Sequence, residues 1–479
     1  MTDLADLSLV AAADAVASGQ VTSRELLDAC WNNIERVNPA LNATIWLDRE
    51  QAERDAAAAD VAVRAKAPLG KLHGVPMAHK DMYYQAGRLC TCGSEIRRDF
   101  VPSYTATAIE RLSAAGAYCF GGLNMAEFAQ APTGHNRHYG DCHNPWSLPY
   151  ITGGSSSGAG AAVAARMTFA ALGSDTGGSI RLPASACGVT GIKPTQTRVS
   201  RYGAMPLSFS HDNVGPLART ARDCARILGV IAGHDPRDPT SSREPVADYE
   251  AALDGDLRGL RVGIPTTWFL ERAEAPIAAA IERACEVLAA RGAIVRKITL
   301  PLMDAIGTYG GIVSRVEGAT IHAQWMRERP GDYAPFLAGR MYPGFAIPAV
   351  YYAETLARRG PILKAFAREV FSEVDVLATP AIPTLLPTLA ETDIDKGPPG
   401  TEKKFLAVSI NTRPFNYLGL PAVSVPCGFD PNGLPIGLQI AGRPFAEARI
   451  LKVADAYQRD TDFHTRRPPV LDRNAQENI

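Results

Sequence analysis

The sequence predicts an α/β fold, and two observations carry that reading. A short apolar run, Val75 to Ala78, precedes a helical pattern from Thr105 to Ala115 and a second apolar run, Ala117 to Phe120. Strand, helix and strand in that order build a parallel sheet with a helical crossover. Near the other end, Ala422 to Pro426 and Ile436 to Ala441 return to strand patterning before a final helix, Ala446 to Gln458.

The elements before this unit read as helices. Ser8 caps an apolar-periodic run (Leu9, Val10, Ala13, Val16) that stops near Gly19. Thr22 and Glu25 form a capping box that opens a second helix, with Leu26, Leu27, Cys30 and Ile34 on one face and an end expected before Pro39. A strand from Ala43 to Leu47 and an Ala-rich helix from about Asp48 to Arg64 follow. Residues 150–220 are dense in Gly and Ser. Residues 236–400 carry many prolines and longer connections, where substrate-facing elements are expected.

Composition excludes several classes. The chain has 479 residues, 46% of them apolar and 21% charged, which excludes disorder as its main state. With 49 basic and 50 acidic side chains it shows no electrostatic footprint for nucleic acid or an anionic membrane. The N-terminus is acidic where a signal peptide needs a basic stretch. The apolar stretch Ala159 to Leu172 is too short to span a bilayer and contains Arg166. Nine scattered cysteines suit reduced thiols, so a cytoplasmic location is expected.

The segment Thr152-Gly153-Gly154-Ser155-Ser156-Ser157-Gly158 admits several readings. A flexible linker would not run directly into an Ala-rich segment of buried-helix character. A nucleophile elbow centred on Ser156 needs a preceding strand and a later Asp and His. The preceding residues read as loop, and His211, His234, His322 and His464 sit in no triad context. A phosphate loop would need a Lys-Ser/Thr pair that is absent.

A second glycine knot spans Gly173-Ser174-Asp175-Thr176-Gly177-Gly178-Ser179-Ile180-Arg181. Its Asp-Thr-Gly triplet has no second copy to form an aspartic dyad. Consecutive glycines followed by a hydroxyl let backbone N–H groups converge beside a nucleophile. Such a serine needs a base, and a lysine serves if burial lowers its pKa from about 10.4. Lys80 ends an apolar strand in Gly74-Val75-Pro76-Met77-Ala78-His79-Lys80-Asp81. Cys90, Cys92, His73 and His79 lack the paired spacing of a zinc site, and no metal is expected.

These three segments, in this order, resemble the amidase signature family of serine hydrolases. The resemblance is close over residues 68–225 and continues through Arg181-Leu182-Pro183-Ala184-Ser185, Gly191-Ile192-Lys193-Pro194-Thr195, Arg198-Val199-Ser200-Arg201-Tyr202-Gly203 and Asp212-Asn213-Val214-Gly215-Pro216. Gly419-Leu420-Pro421-Ala422-Val423-Ser424 and Gly433-Leu434-Pro435-Ile436-Gly437 also look like family elements.

The resemblance implies one large α/β/α domain over 1–479, with a central mixed, largely parallel twisted sheet covered by helices. Within it, 1–67 is an N-terminal helical segment, 68–225 the signature core, 236–400 the variable substrate-facing region and 401–479 a return to the sheet. It further implies Ser179 as nucleophile, Ser155 as bridging serine after a cis peptide bond, and Lys80 as base. The backbone N–H groups of Thr176, Gly177, Gly178 and Ser179 form the implied oxyanion hole. Asp175 and Arg181 are expected to orient the glycine loop. Ala129, Gln130 and Ala131 are expected to face the acyl group. Of the aromatic residues of 320–352 (Trp325, Tyr333, Phe336, Tyr342, Phe345, Tyr351), core packing is the favoured reading and an apolar mouth the alternative. No cofactor is implied.

Two functions fit this signature. The favoured reading is a free-standing amidase for small or aryl acyl amides, carbamates or esters, with no nucleic-acid or membrane partner and a homodimer as its assembly. The alternative is the glutaminase subunit of a tRNA-dependent amidotransferase, to which Ile231-Ala232-Gly233-His234-Asp235-Pro236 is similar. Three departures weigh against that alternative. The expected carboxylate-binding arginine is absent from Thr320-Ile321-His322-Ala323-Gln324-Trp325, and His135-Asn136-Arg137-His138 and Thr195-Gln196-Thr197-Arg198 differ from its usual runs.

Overall fold

The computed structural model describes residues 3–472; Met1, Thr2 and 473–479, the ends of the expected first and last segments, lie outside the described residues. The helix Leu9–Ala17 begins where Ser8 accepts a hydrogen bond from the Ala11 N–H. The helix Ser23–Leu41 opens on the Thr22–Glu25 capping box. It runs through Pro39 instead of stopping before it. A proline so near the C-terminal end removes one backbone donor, and the buried Val37 and Leu41 continue the apolar face past it.

Strands β1 (Thr44–Leu47), β2 (Pro76–Lys80) and β3 (Tyr118–Leu123) form a small sheet in the order β1-β3-β2. The β2–β3 pair is parallel, with the helix Thr107–Ala114 between them in sequence. A second sheet contains β4 (Ala170–Asp175), β5 (Thr190–Lys193), β6 (Asn213–Ala218), β7 (Arg261–Pro265), β8 (Ile294–Ile298), β9 (Val376–Pro380), β10 (Ala422–Phe429) and β11 (Pro435–Gly442). Its spatial order is β4-β6-β5-β10-β11-β9-β7-β8. The two sheets meet where the Leu172 N–H of β4 donates to His79 Nδ1 of β2 at 3.1 Å.

The large sheet is mixed, as expected, but it is not largely parallel. Every pairing from β4 to β9 is antiparallel, and only β9–β7 and β7–β8 are parallel. At its centre β10 and β11 form a hairpin closed by Asp430, which accepts from the N–H groups of Asn432 and Leu434. So short a connection can only join antiparallel strands. β4, β6 and β11 are buried along their whole length. Strands covered on both faces read as continuous apolar runs whatever their direction, so the sequence pattern did not reveal the polarity.

Helices cover this sheet, with Arg181–Cys187 and Glu447–Arg459 both packed on β10 and β11. The helix Ser157–Ala164 is buried at every residue. Its small side chains are a packing requirement, because a Cβ on Gly158 would collide with the Ala43 carbonyl and the Asn124 backbone. Residues 236–400 hold more regular structure than their prolines suggest, including β7, β8, β9 and the long helices Met303–Glu328 and Ala349–Glu373. No helix among the described residues is long and apolar enough to cross a membrane.

Candidate active site

Two of the candidate catalytic side chains, Lys80 and Ser155, meet directly, and the loop that carries Ser179 lies against the Ser155 loop. Lys80 is the last residue of the buried strand β2, and Ser174 lies on β4 beside it. The Gly154–Ser155 peptide bond, in the turn leading to the buried helix, is cis. Lys80 Nζ donates to Ser155 Oγ at 2.6 Å and to Ser174 Oγ at 2.8 Å. Ser179 follows β4 at the end of the glycine knot. The two serine loops touch, with the Ser156 N–H donating to the Ser179 carbonyl at 3.4 Å. Ser156 itself has its Oγ against the Ser174 carbonyl, as a packing residue.

Burial sets the electrostatics. Lys80 is 1% exposed. Desolvation brings its ammonium down to about 7, against the opposing pull of Asp212 and Asp175. Burial alone would raise Asp175, but the Arg181 guanidinium outweighs it and holds the carboxyl at about 2. Arg181 binds both Asp175 oxygens, at 3.0 and 2.9 Å, and continues to the Thr412 carbonyl, Gln439 and Asn416. Asp175 in turn accepts from the N–H groups of Gly178 at 2.8 Å and Ile180 at 3.2 Å. The pair therefore fixes the path of the loop that presents Ser179.

Those bonds revise the expected oxyanion set. The Gly178 N–H is turned onto Asp175 and is not available to a substrate oxygen. No hydrogen bond within the described residues occupies the N–H groups of Thr176, Gly177 or Ser179. Thr176, Gly177 and Ser179 also line a cavity of about 510 Å³, within the size range of small-molecule sites. Lys80 and Ser155 lie buried behind this surface.

Ala129, Gln130 and Ala131 form one wall of the cavity. The aromatic residues of 320–352 do not line it. Trp325 and Tyr333 pack on Phe128 and His322, Phe336 packs on Phe405, and Tyr342, Phe345 and Tyr351 are exposed. The opposite wall comes instead from the helix Met303–Glu328, whose Gly307, Gly310 and Gly311 face the space, and from Trp268 and His211. Arg315, Arg340 and Arg413 also line it, and sequence reasoning missed all three. They come from separate helices and form no linear motif. The glycines within one helix were the only available signal. No group of three or more His, Cys, Asp or Glu gathers for metal binding among the described residues.

Comparison with known proteins corrects the favoured functional reading. A glutamyl-tRNA(Gln) amidotransferase subunit of Chloroflexus aggregans is 43% identical, covering 98% of this chain and 99% of its own. The structure of the same-named protein from Thermotoga maritima superposes with a TM-score of 0.81 at 29% identity, covering 96% of each chain. A chain from a vestigial complex tied to the origins of an s-triazine catabolic enzyme gives a TM-score of 0.88 at 32% identity, covering 95% of this chain and 98% of that one. The expectation of a free-standing hydrolase for small or aryl acyl amides, carbamates or esters is overturned by these near-full-length relatives. So is the expectation of no nucleic-acid partner, since the relatives carry tRNA in their name.

The sequence departures that argued against the amidotransferase reading have structural explanations. Residues 320–325 do not line the cavity, whose arginines are Arg315, Arg340 and Arg413. Arg137 binds Asp393 and Asp395, docking a loop, and Gln196 is held by Arg359 and Ser210. The Amidase family profile matches residues 25–451. With the signature segments assembled around one cavity, the chain belongs to the amidase signature family, enzymes that act on carbon–nitrogen bonds.

Proposed function

We propose that this chain is the amide-cleaving subunit of a tRNA-dependent amidotransferase, with glutamine as amide donor. The observation that carries the reading is the 43% identity that extends over 98% of the chain to a protein of that name. In such an assembly the released ammonia passes to a partner protein that acts on a tRNA-linked substrate, which places the chain in the cytoplasm.

The chemistry follows from the relay. Neutral Lys80 accepts the Ser155 proton through their 2.6 Å contact while Ser155 accepts the proton of Ser179. Ser179 Oγ attacks the amide carbon, and the N–H groups of Thr176, Gly177 and Ser179 hold the oxyanion. One such donor is worth about 3–4 kcal/mol in other hydrolases. The C–N bond then breaks as the relay returns its proton to the leaving nitrogen, releasing ammonia. Water attacks the acyl-enzyme, gives a proton to the same relay and frees the acid and Ser179.

Reconstitution tests this. The chain is combined with the partner subunits of a relative and a glutamate-charged tRNA, with ammonia and amidated tRNA both measured. Glutamine-dependent amidation that disappears with Ser179→Ala is expected. Ammonia release without transfer in any reconstituted mixture would overturn the amidotransferase reading.

A further inference from the structure

The turn 207–212 lines the cavity with Leu207 and His211, and two buried carboxylates grip it from opposite sides. Asp212 belongs to the turn itself. Its Oδ2 accepts from the Leu207 N–H at 2.8 Å and the Ser208 N–H at 3.0 Å, and its Oδ1 accepts from the Thr176 hydroxyl at 2.6 Å. Glu317 reaches the turn from the helix Met303–Glu328. It accepts from the Ser208 hydroxyl, and from the Ser210 N–H at 3.0 Å and hydroxyl at 2.7 Å. A fourth donor is the Tyr352 hydroxyl, at 2.9 Å, on the helix Ala349–Glu373.

Glu317 is 2% exposed, and its charge acts on Arg359, whose guanidinium holds the Ser210 carbonyl at 2.7 Å. Burying a carboxylate is costly, and apolar side chains would seat a helix on a turn without that cost. The carboxylate adds direction, because four donors are fixed on its two oxygens. Asp212 passes that direction inward. The Asp175–Arg181 pair holds the far part of the glycine loop through the Gly178 and Ile180 N–H groups. The side chain of Thr176, at the near part, is held by Asp212 instead.

We propose that Glu317 and Asp212 are positioning residues, coupled through the turn 207–212, that aim the Thr176 N–H at the oxyanion. The seating of the helices Met303–Glu328 and Ala349–Glu373 thereby sets the rate of the chemical step. The inference rests on Ser179 cleaving an amide with Thr176 among its oxyanion donors, and goes beyond that reading by giving two outer helices control of the donor.

The test combines kinetics with a readout free of turnover. Ammonia release from glutamine is measured on the reconstituted assembly. A donor to the oxyanion works in the transition state, so displacing it lowers kcat and leaves KM in place. Glu317→Gln is expected to lower kcat about tenfold with KM within about twofold, and the milder Tyr352→Phe about threefold. Thr176→Val cuts the link at its inner end and should lose about tenfold or more. Adding Glu317→Gln to Thr176→Val should then cost less than about twofold, because coupled residues are not additive. Losses that multiply in the double variant, or a KM that rises as much as kcat falls, would overturn the proposal. For the second readout the full chain carries isotopically labelled threonine, and the Thr176 amide resonance is identified by its loss in Thr176→Val. Glu317→Gln and Tyr352→Phe should each move that resonance and leave that of Thr44, on the small sheet, in place. A moved resonance in a chain that releases no ammonia would support the coupling and count against Ser179 as an amide-cleaving nucleophile. An unmoved resonance, in an active or an inactive chain, would overturn the coupling.

Discussion

Lys80 binds two hydroxyls in a site that water does not reach, and its pKa of about 7 follows from that burial. The relay needs its neutral form, so kcat/KM should rise through an acid limb with a midpoint near 7 and level off above it. Lys80→Ala should lower the rate by about 10²–10⁴ and abolish that limb; an unchanged pH profile in the variant would reject the lysine as base. Stability carries the same signature. Unfolding returns the lysine to about 10.4, so between about pH 7 and 10 the unfolded chain binds the extra proton and stability rises with pH. Denaturant titrations across that window should show a shallower slope for Lys80→Met. At this scale the sequence disclosed Lys80, Ser155 and Ser179 because they lie in three recognisable segments. It did not disclose Arg315, Arg340 and Arg413, which only the fold brings to one cavity.

The element that decides the site is the loop after β4. Asp175, at the strand end, binds the Gly178 and Ile180 N–H groups and the Arg181 guanidinium, all without exposure to solvent. Breaking a buried pair of this kind costs about 3–5 kcal/mol, because the remaining charge is left uncompensated. Arg181→Met should therefore lower the unfolding midpoint strongly and remove activity, checked by denaturant unfolding beside an ammonia assay. Gly178 has φ of +129° and no room for a Cβ, which would collide with Thr412. Gly178→Ala should lose activity, and its thermal midpoint should fall as well; a fully active variant would contradict the loop geometry. The short strands around this loop were legible from their apolar runs and glycine boundaries. The helix Met303–Glu328 was not, because its buried positions (Ile306, Val313, Glu317, His322) mix apolar with polar residues and its glycines face the cavity. Periodicity therefore had no single apolar face to report.

At the scale of the whole molecule, the chain belongs to the amidase signature family, and its candidate site lies where the small sheet, through Lys80 on β2, meets β4 of the large mixed sheet. Residues 236–400 supply about half of the cavity wall. The α/β class was legible because strands and helices alternate early in the chain; the central hairpin of β10 and β11 was not legible as a reversal of sheet polarity. Function was least legible of all, since the arginines that line the cavity come from three separate helices and form no motif. The central claim is that Ser179 forms an acyl-enzyme with an amide donor. Intact-mass spectrometry of the chain, quenched during turnover with glutamine, tests it most directly. The account predicts a mass increase equal to the acyl group, mapped to the peptide containing Ser179 and absent in Ser179→Ala. Ammonia release with no adduct on that peptide, or at an undiminished rate in Ser179→Ala, would contradict it.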